Sequence, residues 1–171
     1  VLTVRIAACI VAFGALLVAS GTAAAQTGGP DASGTSFFPT GYDFVPLAGT
    51  GTALAVGNSG EVTVALPWAF PWYGGSFSAI RSGANGGIRF GSTGDVTSGN
   101  GCLPATASNA PDLAPLWDDL NPGDGGAVLS WFDAAQNRQI VSWEDVPHGQ
   151  STGTVSLQVH LLANGEVEFH Y

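Results

Sequence analysis

The sequence predicts an all-β fold, an antiparallel β-sandwich or jelly-roll-like arrangement, and three observations carry that prediction. Beyond the first 25 residues no stretch keeps apolar residues at helical spacing for three turns. Glycine, proline and asparagine punctuate the chain at intervals of about 8–12 residues, the rhythm of many short strands. The C-terminal third alternates apolar and polar residues with the period of a half-buried strand. No repeat of fixed period is present.

The first 25 residues stand apart. Arg5 precedes the apolar run IAACIVAFGALLVA, Ile6 to Ala19, and SGTAAAQ follows with small residues at Ala23 and Ala25. A basic start, an apolar stretch shorter than the roughly 18 residues of a membrane span, and small residues at the end are the parts of a secretory signal peptide. Residues 1–25 are therefore expected to be a signal-peptide helix outside the fold. The chain is expected to be secreted, extracellular or on the cell surface, with no membrane span after cleavage. Cys9 lies inside the apolar run, too early to be a lipid-modified cysteine at a cleavage site, and goes with the leader. Cys102 then has no intrachain partner and is expected to be a small buried apolar residue.

Residues 26–36 are glycine, serine, threonine, alanine, proline, aspartate and glutamine, which support no core and read as a flexible leader. The domain is expected over 37–171. With 45% hydrophobic residues the chain has enough apolar surface for one core. Thirteen acidic residues against four basic ones give a net charge of −9, one unit more negative once Arg5 leaves, and there is no lysine. Such a surface repels phosphate backbones and anionic lipid, which excludes nucleic acid as a partner and favours divalent cations or basic partners.

The segment VTVALPWAFPWYG, Val62 to Gly74, reads as a strand interrupted by Pro67 and Pro71. Proline cannot donate to a ladder, so this is an edge strand or a bend rather than a central strand. Trp68, Phe70, Trp72 and Tyr73 suit core packing with alternate members buried. Trp68, Trp72 and Tyr73 are also candidate ligand-binding residues, since aromatic faces stack on the apolar faces of sugars.

LAPLWDDLNPGDGG, Leu113 to Gly126, puts two adjacent carboxylates before a glycine-rich loop. Asp118, Asp119, Asn121 and Asp124 supply hard oxygen ligands within seven residues, and the glycines let carbonyls join them, so Ca2+ is a candidate cofactor here with Asp119 its first ligand. The alternative is turn chemistry, in which Asp and Asn side chains bond nearby backbone N–H groups. As a catalytic pair the two aspartates are poor: neighbours in a strand point to opposite faces, and glycosidase chemistry needs carboxylates facing across a gap of about 5–10 Å. No nucleophile elbow, HExxH, Cys-x-x-Cys or phosphate loop occurs, and the nearest run, Gly57-Asn58-Ser59-Gly60, lacks the elbow's spacing. The chain therefore reads as no enzyme, with no catalytic residues assigned.

Two hairpins follow. AVLSWFD, Ala127 to Asp133, and RQIVSWEDV, Arg138 to Val146, flank the loop AAQN, with Trp131 and Trp143 as bulky members. In the last hairpin Val155, Leu157, Val159 and Leu161 oppose Ser156, Gln158 and His160, and Val167, Phe169 and Tyr171 oppose Glu166, Glu168 and His170. A two-residue Asn164-Gly165 turn would pair Leu161 with Glu168 and mix the faces. A three-residue loop, Ala163 to Gly165, pairs Leu161 with Val167 and Val159 with Phe169. A type I turn with Gly165 left-handed in a bulge is therefore expected. This register sets His160 opposite Glu168 and Gln158 opposite His170 on the outer face. A His/Glu cluster can hold a transition metal, but with two or three loosely placed candidates a solvated polar face is the preferred reading.

The ordered series TGTAL, LPWAFPWYGGSFSAI, GANGGIRFGS, LAPLWDDLNPGDGGAVLSW, IVSWEDVPH and VSLQVHLLANGEVEFHY resembles a module of bacterial secreted and surface proteins and looks like the nidogen extracellular domain. That pattern likewise runs from an Asn-Gly strand through an alanine-proline-aromatic-tryptophan segment and acidic residues to a tryptophan strand and a final hairpin. The resemblance covers Tyr42 to Tyr171 and is carried by the order of the motifs, each of which is weak alone. Trp117-Asp118-Asp119 matches the family's Trp-x-Asp step, and Asp119 and Asn121 fall at its recurrent acidic or polar positions. The resemblance implies a noncatalytic extracellular adhesion or interaction module whose partner is an extracellular protein or a glycan. The alternatives are an accessory domain of a secreted hydrolase, such as a protease, and a carbohydrate-binding module. The family pattern continues beyond the last hairpin, so a domain truncated at its C-terminus, with an exposed strand edge, is expected.

Overall fold

The computed structural model describes residues 27–93, 96, 98, 99 and 110–171; the expected signal peptide and Cys102 lie outside the described residues. The chain divides into two units, residues 1–39 and 40–171. In the described part of the first, Gly28 and Phe37 form an antiparallel bridge, and the Asp31 carboxylate accepts from the N–H groups of Ser33 and Thr35.

The second unit is all β. Its described strands are β1 (Thr52–Ala53), β2 (Glu61–Trp72), β3 (Gly75–Gly83), β4 (Ile88–Phe90), β5 (Ala127–Asp133), β6 (Arg138–Pro147), β7 (Thr154–Leu162) and β8 (Val167–His170). One antiparallel sheet has the order β1-β5-β6-β7-β8 and the other the order β2-β3-β4. They pack as a sandwich on Leu66, Phe70, Ile80, Ile88 and Phe90 from the smaller sheet and Val128, Val141, Trp143, Leu157, Val159 and Leu161 from the larger. Each such side chain taken out of water contributes about 1.5–3 kcal/mol. No helix among the described residues is long and apolar enough to cross a membrane.

Local sequence explains the elements. β2 is an edge strand, and its pairing with β3 jumps from Ala65↔Ala79 to Phe70↔Phe77 across Pro67, where the ladder lacks a donor. The last hairpin adopts the register that parity demands, with Leu161↔Val167, Val159↔Phe169, His160↔Glu168 and Gln158↔His170. Its loop closes through Gly165 N–H to Leu162 C=O at 2.9 Å and Leu162 N–H to Glu166 C=O at 2.9 Å, with Gly165 at φ 95°. That is a type I turn with a glycine bulge.

One expectation is corrected. The polar face of β7 and β8, read as solvated, is closed off: Gln158, His160 and His170 are all buried. The cause is the segment Thr40–Leu47, which lies across that face as a strap. Leu47 packs there on Leu129 and Ile140 as a second small core. With both faces covered, β6 is buried without alternation from Arg138 to Trp143.

The tightest backbone approach lies at Gly86, in the turn between β3 and β4. Asn85 Oδ1 accepts from Leu120 N–H at 3.1 Å, and a Cβ at Gly86 would stand 1.9 Å from the Leu116 carbonyl oxygen, on a residue whose φ is +71°. Gly86→Ala is expected to lower stability by about 2–4 kcal/mol, the sum of left-handed strain and a backbone clash. An unchanged midpoint of urea unfolding would contradict it.

Candidate functional site

The densest set of titratable side chains lies where the strap crosses the larger sheet. The strap meets successive strands through side chains rather than through a backbone ladder. Asp43 N–H donates to His170 Nδ1 on β8 at 3.2 Å, Val45 N–H to Gln158 Oε1 on β7 at 2.9 Å, and Leu47 N–H to Glu144 Oε1 on β6 at 2.7 Å. Strand alternation places Arg138 and Ser142, Gln158 and His160, and Glu168 and His170 on this one face.

Arg138 is the centre. Its Nη1 reaches Asp43 Oδ2 at 2.5 Å and His160 Nδ1 at 3.0 Å, and its Nε donates to Asp133 Oδ2 at 3.1 Å. Burial works to lower the Arg138 pKa, but the bonds from Asp43 and Asp133 outweigh it and hold it above its ordinary value. The Arg138 bond in turn holds the Asp43 carboxyl below the usual carboxylate range.

The hydrogen bonds fix both histidine tautomers. The Gln158 amide nitrogen donates to Val45 C=O and Ser142 Oγ, so its oxygen is the acceptor for His160 Nε2–H at 3.0 Å. His160 Nδ1 is then unprotonated and accepts from Arg138. His170 Nδ1 accepts from Asp43, so its proton sits on Nε2, 3.4 Å from Glu168 Oε2. Burial first, then the charges of His170 and Arg138, pushes His160 down to about 4, and the ring is neutral near pH 7.

Among the described residues His160, Glu168 and His170 bring one potential metal ligand each within 4.8 Å of one another. The donor set does not fit a cation. A ligating histidine offers a bare nitrogen while its other N–H donates outward. His170 is reversed, with its proton toward the cluster, and the bare nitrogen of His160 is occupied by a guanidinium.

Beside this network opens a cleft of about 330 Å³ lined by Thr40, Tyr42, Asp43, Gln136, Arg138 and Glu168, with Gly41 and Leu162. The Tyr42 ring, 73% exposed, stacks on Phe44 at 6.4 Å and meets His170 edge-on at 6.3 Å. Of the lining residues, Leu162 and Glu168 fall in the motif VSLQVHLLANGEVEFHY, and the hairpin register already set Glu168 opposite His160. Arg138 carries a second signal: it is one of four basic residues in the chain, and it lies on the same strand face as Ile140 and Ser142.

The other candidate residues lie elsewhere. Asp118 and Asp119, read as calcium ligands or as turn-capping residues, occupy an irregular stretch between β4 and β5. Asp118 Oδ2 faces His148 Nε2 at 3.1 Å and its Oδ1 accepts from Asp119 N–H at 2.8 Å. These two bonds, in reverse order of size, hold the Asp118 carboxyl below its ordinary pKa. Asp119 Oδ2 accepts from Gln150 at 3.3 Å, Asp124 Oδ2 from Asn121 Nδ2 at 2.6 Å, and Asn121 Oδ1 from Gly123 N–H at 3.0 Å. Each of the four thus has a protein partner, as in turn capping. Trp68 and Trp72 lean onto the core, Trp68 against Phe132 at 5.8 Å and Trp72 stacked on Phe90 at 4.8 Å. Tyr73 stands 56% exposed in the Tyr73-Gly74 turn, at φ 41°, with its ring at right angles to Trp72. The three aromatics therefore share no flat exposed surface.

A family model described as NIDO related matches residues 36–171. No match was found among curated proteins or among solved structures.

Proposed function

Because the chain belongs to the NIDO-related family, we propose that it is a noncatalytic adhesion or interaction module acting outside the cell, and that its partner, an extracellular protein or a glycan, docks at the Tyr42 cleft. The observation that carries this reading is the contrast between the cleft and what lies beneath it. The floor is a closed set of bonds in which Arg138, Asp43, His160 and Gln158 hold one another. The rim offers an exposed aromatic ring, the Thr40 hydroxyl, the Gln136 amide and the Asp43 and Glu168 carboxylates. A rigid floor with an aromatic and polar rim recognises ligands at little entropic cost, and the net charge of −9 favours basic or neutral partners.

The test presents the full chain to arrayed extracellular proteins and glycans. A binder whose affinity falls at least about tenfold in Tyr42→Ala, with an unchanged melting temperature, is the expected result. Absence of any binder, full binding by Tyr42→Ala, or turnover of a substrate by the chain would overturn the reading.

A further inference from the structure

We propose that the strap Thr40–Leu47 is a clasp released by acid: protonation of the histidine pair beneath it withdraws the bonds that hold Asp43, uncovers the outer face of the larger sheet and dismantles the cleft. The proposal goes beyond partner recognition and stands on the hydrogen-bond geometry, with burial giving the direction of the pH dependence.

Both histidines face the strap through a nitrogen that must stay unprotonated. His170 Nδ1 is the acceptor for Asp43 N–H, so a proton there sets donor against donor. His160 Nδ1 is the acceptor for Arg138 Nη1, and a proton there turns an attraction into the contact of two cations, displacing the guanidinium that also binds Asp43 Oδ2. Either proton therefore loosens the same strap residue.

Charged groups face the pair from the strap and from the sheet. Facing the pair are Asp43 from the strap, Arg138 from β6, Glu168 from β8 and, through Arg138, Asp133 from β5; Glu144 of β6 holds the strap farther along at Leu47. Glu168 Oε2 lies 3.5 Å from His160 Nδ1 and 3.4 Å from His170 Nε2, a counterion for the first proton. The rings are 4.3 Å apart, so the first proton opposes the second.

The sign follows from burial. Burial, to which the strap contributes, comes first among the causes that hold His160 at about 4, below its ordinary 6.5, so docking is fully favoured above about pH 6.5 and its advantage falls away as the pH drops toward 4. Undocking lets the ring take its proton in water.

The experiment follows amide hydrogen exchange in the full chain by nuclear magnetic resonance, corrected for intrinsic rates. Between about pH 7 and about pH 5 the protection of the Asp43 and Val45 amides is expected to fall about tenfold or more, while Val141 and Val159 in the sheet keep theirs. His170→Asn leaves an amide oxygen where Nδ1 stood, an acceptor at either pH, and the fall at Asp43 is expected to shrink. Unchanged strap protection in the natural chain would overturn the proposal, as would an equal loss in strap and sheet. A fall undiminished in both His170→Asn and His160→Asn would also overturn it, assigning the response to the carboxylates. Failure of the partner screen leaves these readouts untouched, so the two proposals fail separately.

Discussion

Replacing Arg138 by methionine is expected to lower stability by about 3–5 kcal/mol, because it breaks a buried ion pair and leaves one partner uncompensated. The partner that suffers is Asp133, whose side chain is 9% exposed and loses the Arg138 Nε bond. Asp133 keeps the N–H groups of Ala135 and Gln136 on its Oδ1, at 3.0 and 3.2 Å, which sets the loss toward the lower end of that range. Asp43 contributes little to the stability loss, since its side chain is 57% exposed and water replaces the guanidinium. Urea unfolding near pH 7 measures the total, and a double-mutant cycle with Asp133→Asn isolates the pair. A coupling of at least about 1 kcal/mol is expected. Strictly additive losses would mean that Arg138 acts through its aliphatic stem alone.

Trp143→Ala is the second large effect, about 3–5 kcal/mol. The side chain is 0% exposed, lies between the sheets, and donates its indole N–H to the Gly83 carbonyl of β3 at 3.1 Å. Truncation opens a cavity beside its cross-strand neighbours Val128 and Leu157 and orphans that carbonyl. Trp143→Phe separates the two parts: most of the apolar filling stays while the hydrogen bond goes, and a loss of about 1–3 kcal/mol is expected. Equal losses for the alanine and phenylalanine variants would show that the bond to β3, and not the volume, sets the cost.

The parts of the fold that were legible in the sequence are those governed by near neighbours. In the final hairpin, Leu161, Val159, Val167 and Phe169 had to share a face, and only the loop Ala163–Gly165 permits that. Pro67 and Pro71 removed two ladder donors and ruled β2 out as a central strand, leaving an edge or a bend; the structure places it at an edge. The order of short motifs through Trp117-Asp118-Asp119 to the last hairpin pointed to the family that the match over 36–171 shows.

The site was not legible in the same way. Its rim and floor come from the strap, the loop between β5 and β6, and β6, β7 and β8, and the bond between Val45 and Gln158 joins residues 113 positions apart. Alternation in β7 states that Gln158 and His160 differ from Leu157 and Val159, not which face water reaches. The Asp118–Asp124 run attracted attention because its polar residues are adjacent in sequence, yet their bonds are mostly to one another and to the loop beside them.

By itself the sequence determined the all-β class, the exclusion of β2 from a central, fully paired position and the register of the last hairpin, because period, proline chemistry and loop parity are local and act within a strand or a turn. Only the tertiary structure decided that the polar face of the larger sheet is buried, that His160 and His170 each accept a hydrogen bond under a strap, and that a cleft opens beside them. Those outcomes depend on what a segment from the far end of the domain covers, and burial is a property of the packed whole, not of any strand taken alone.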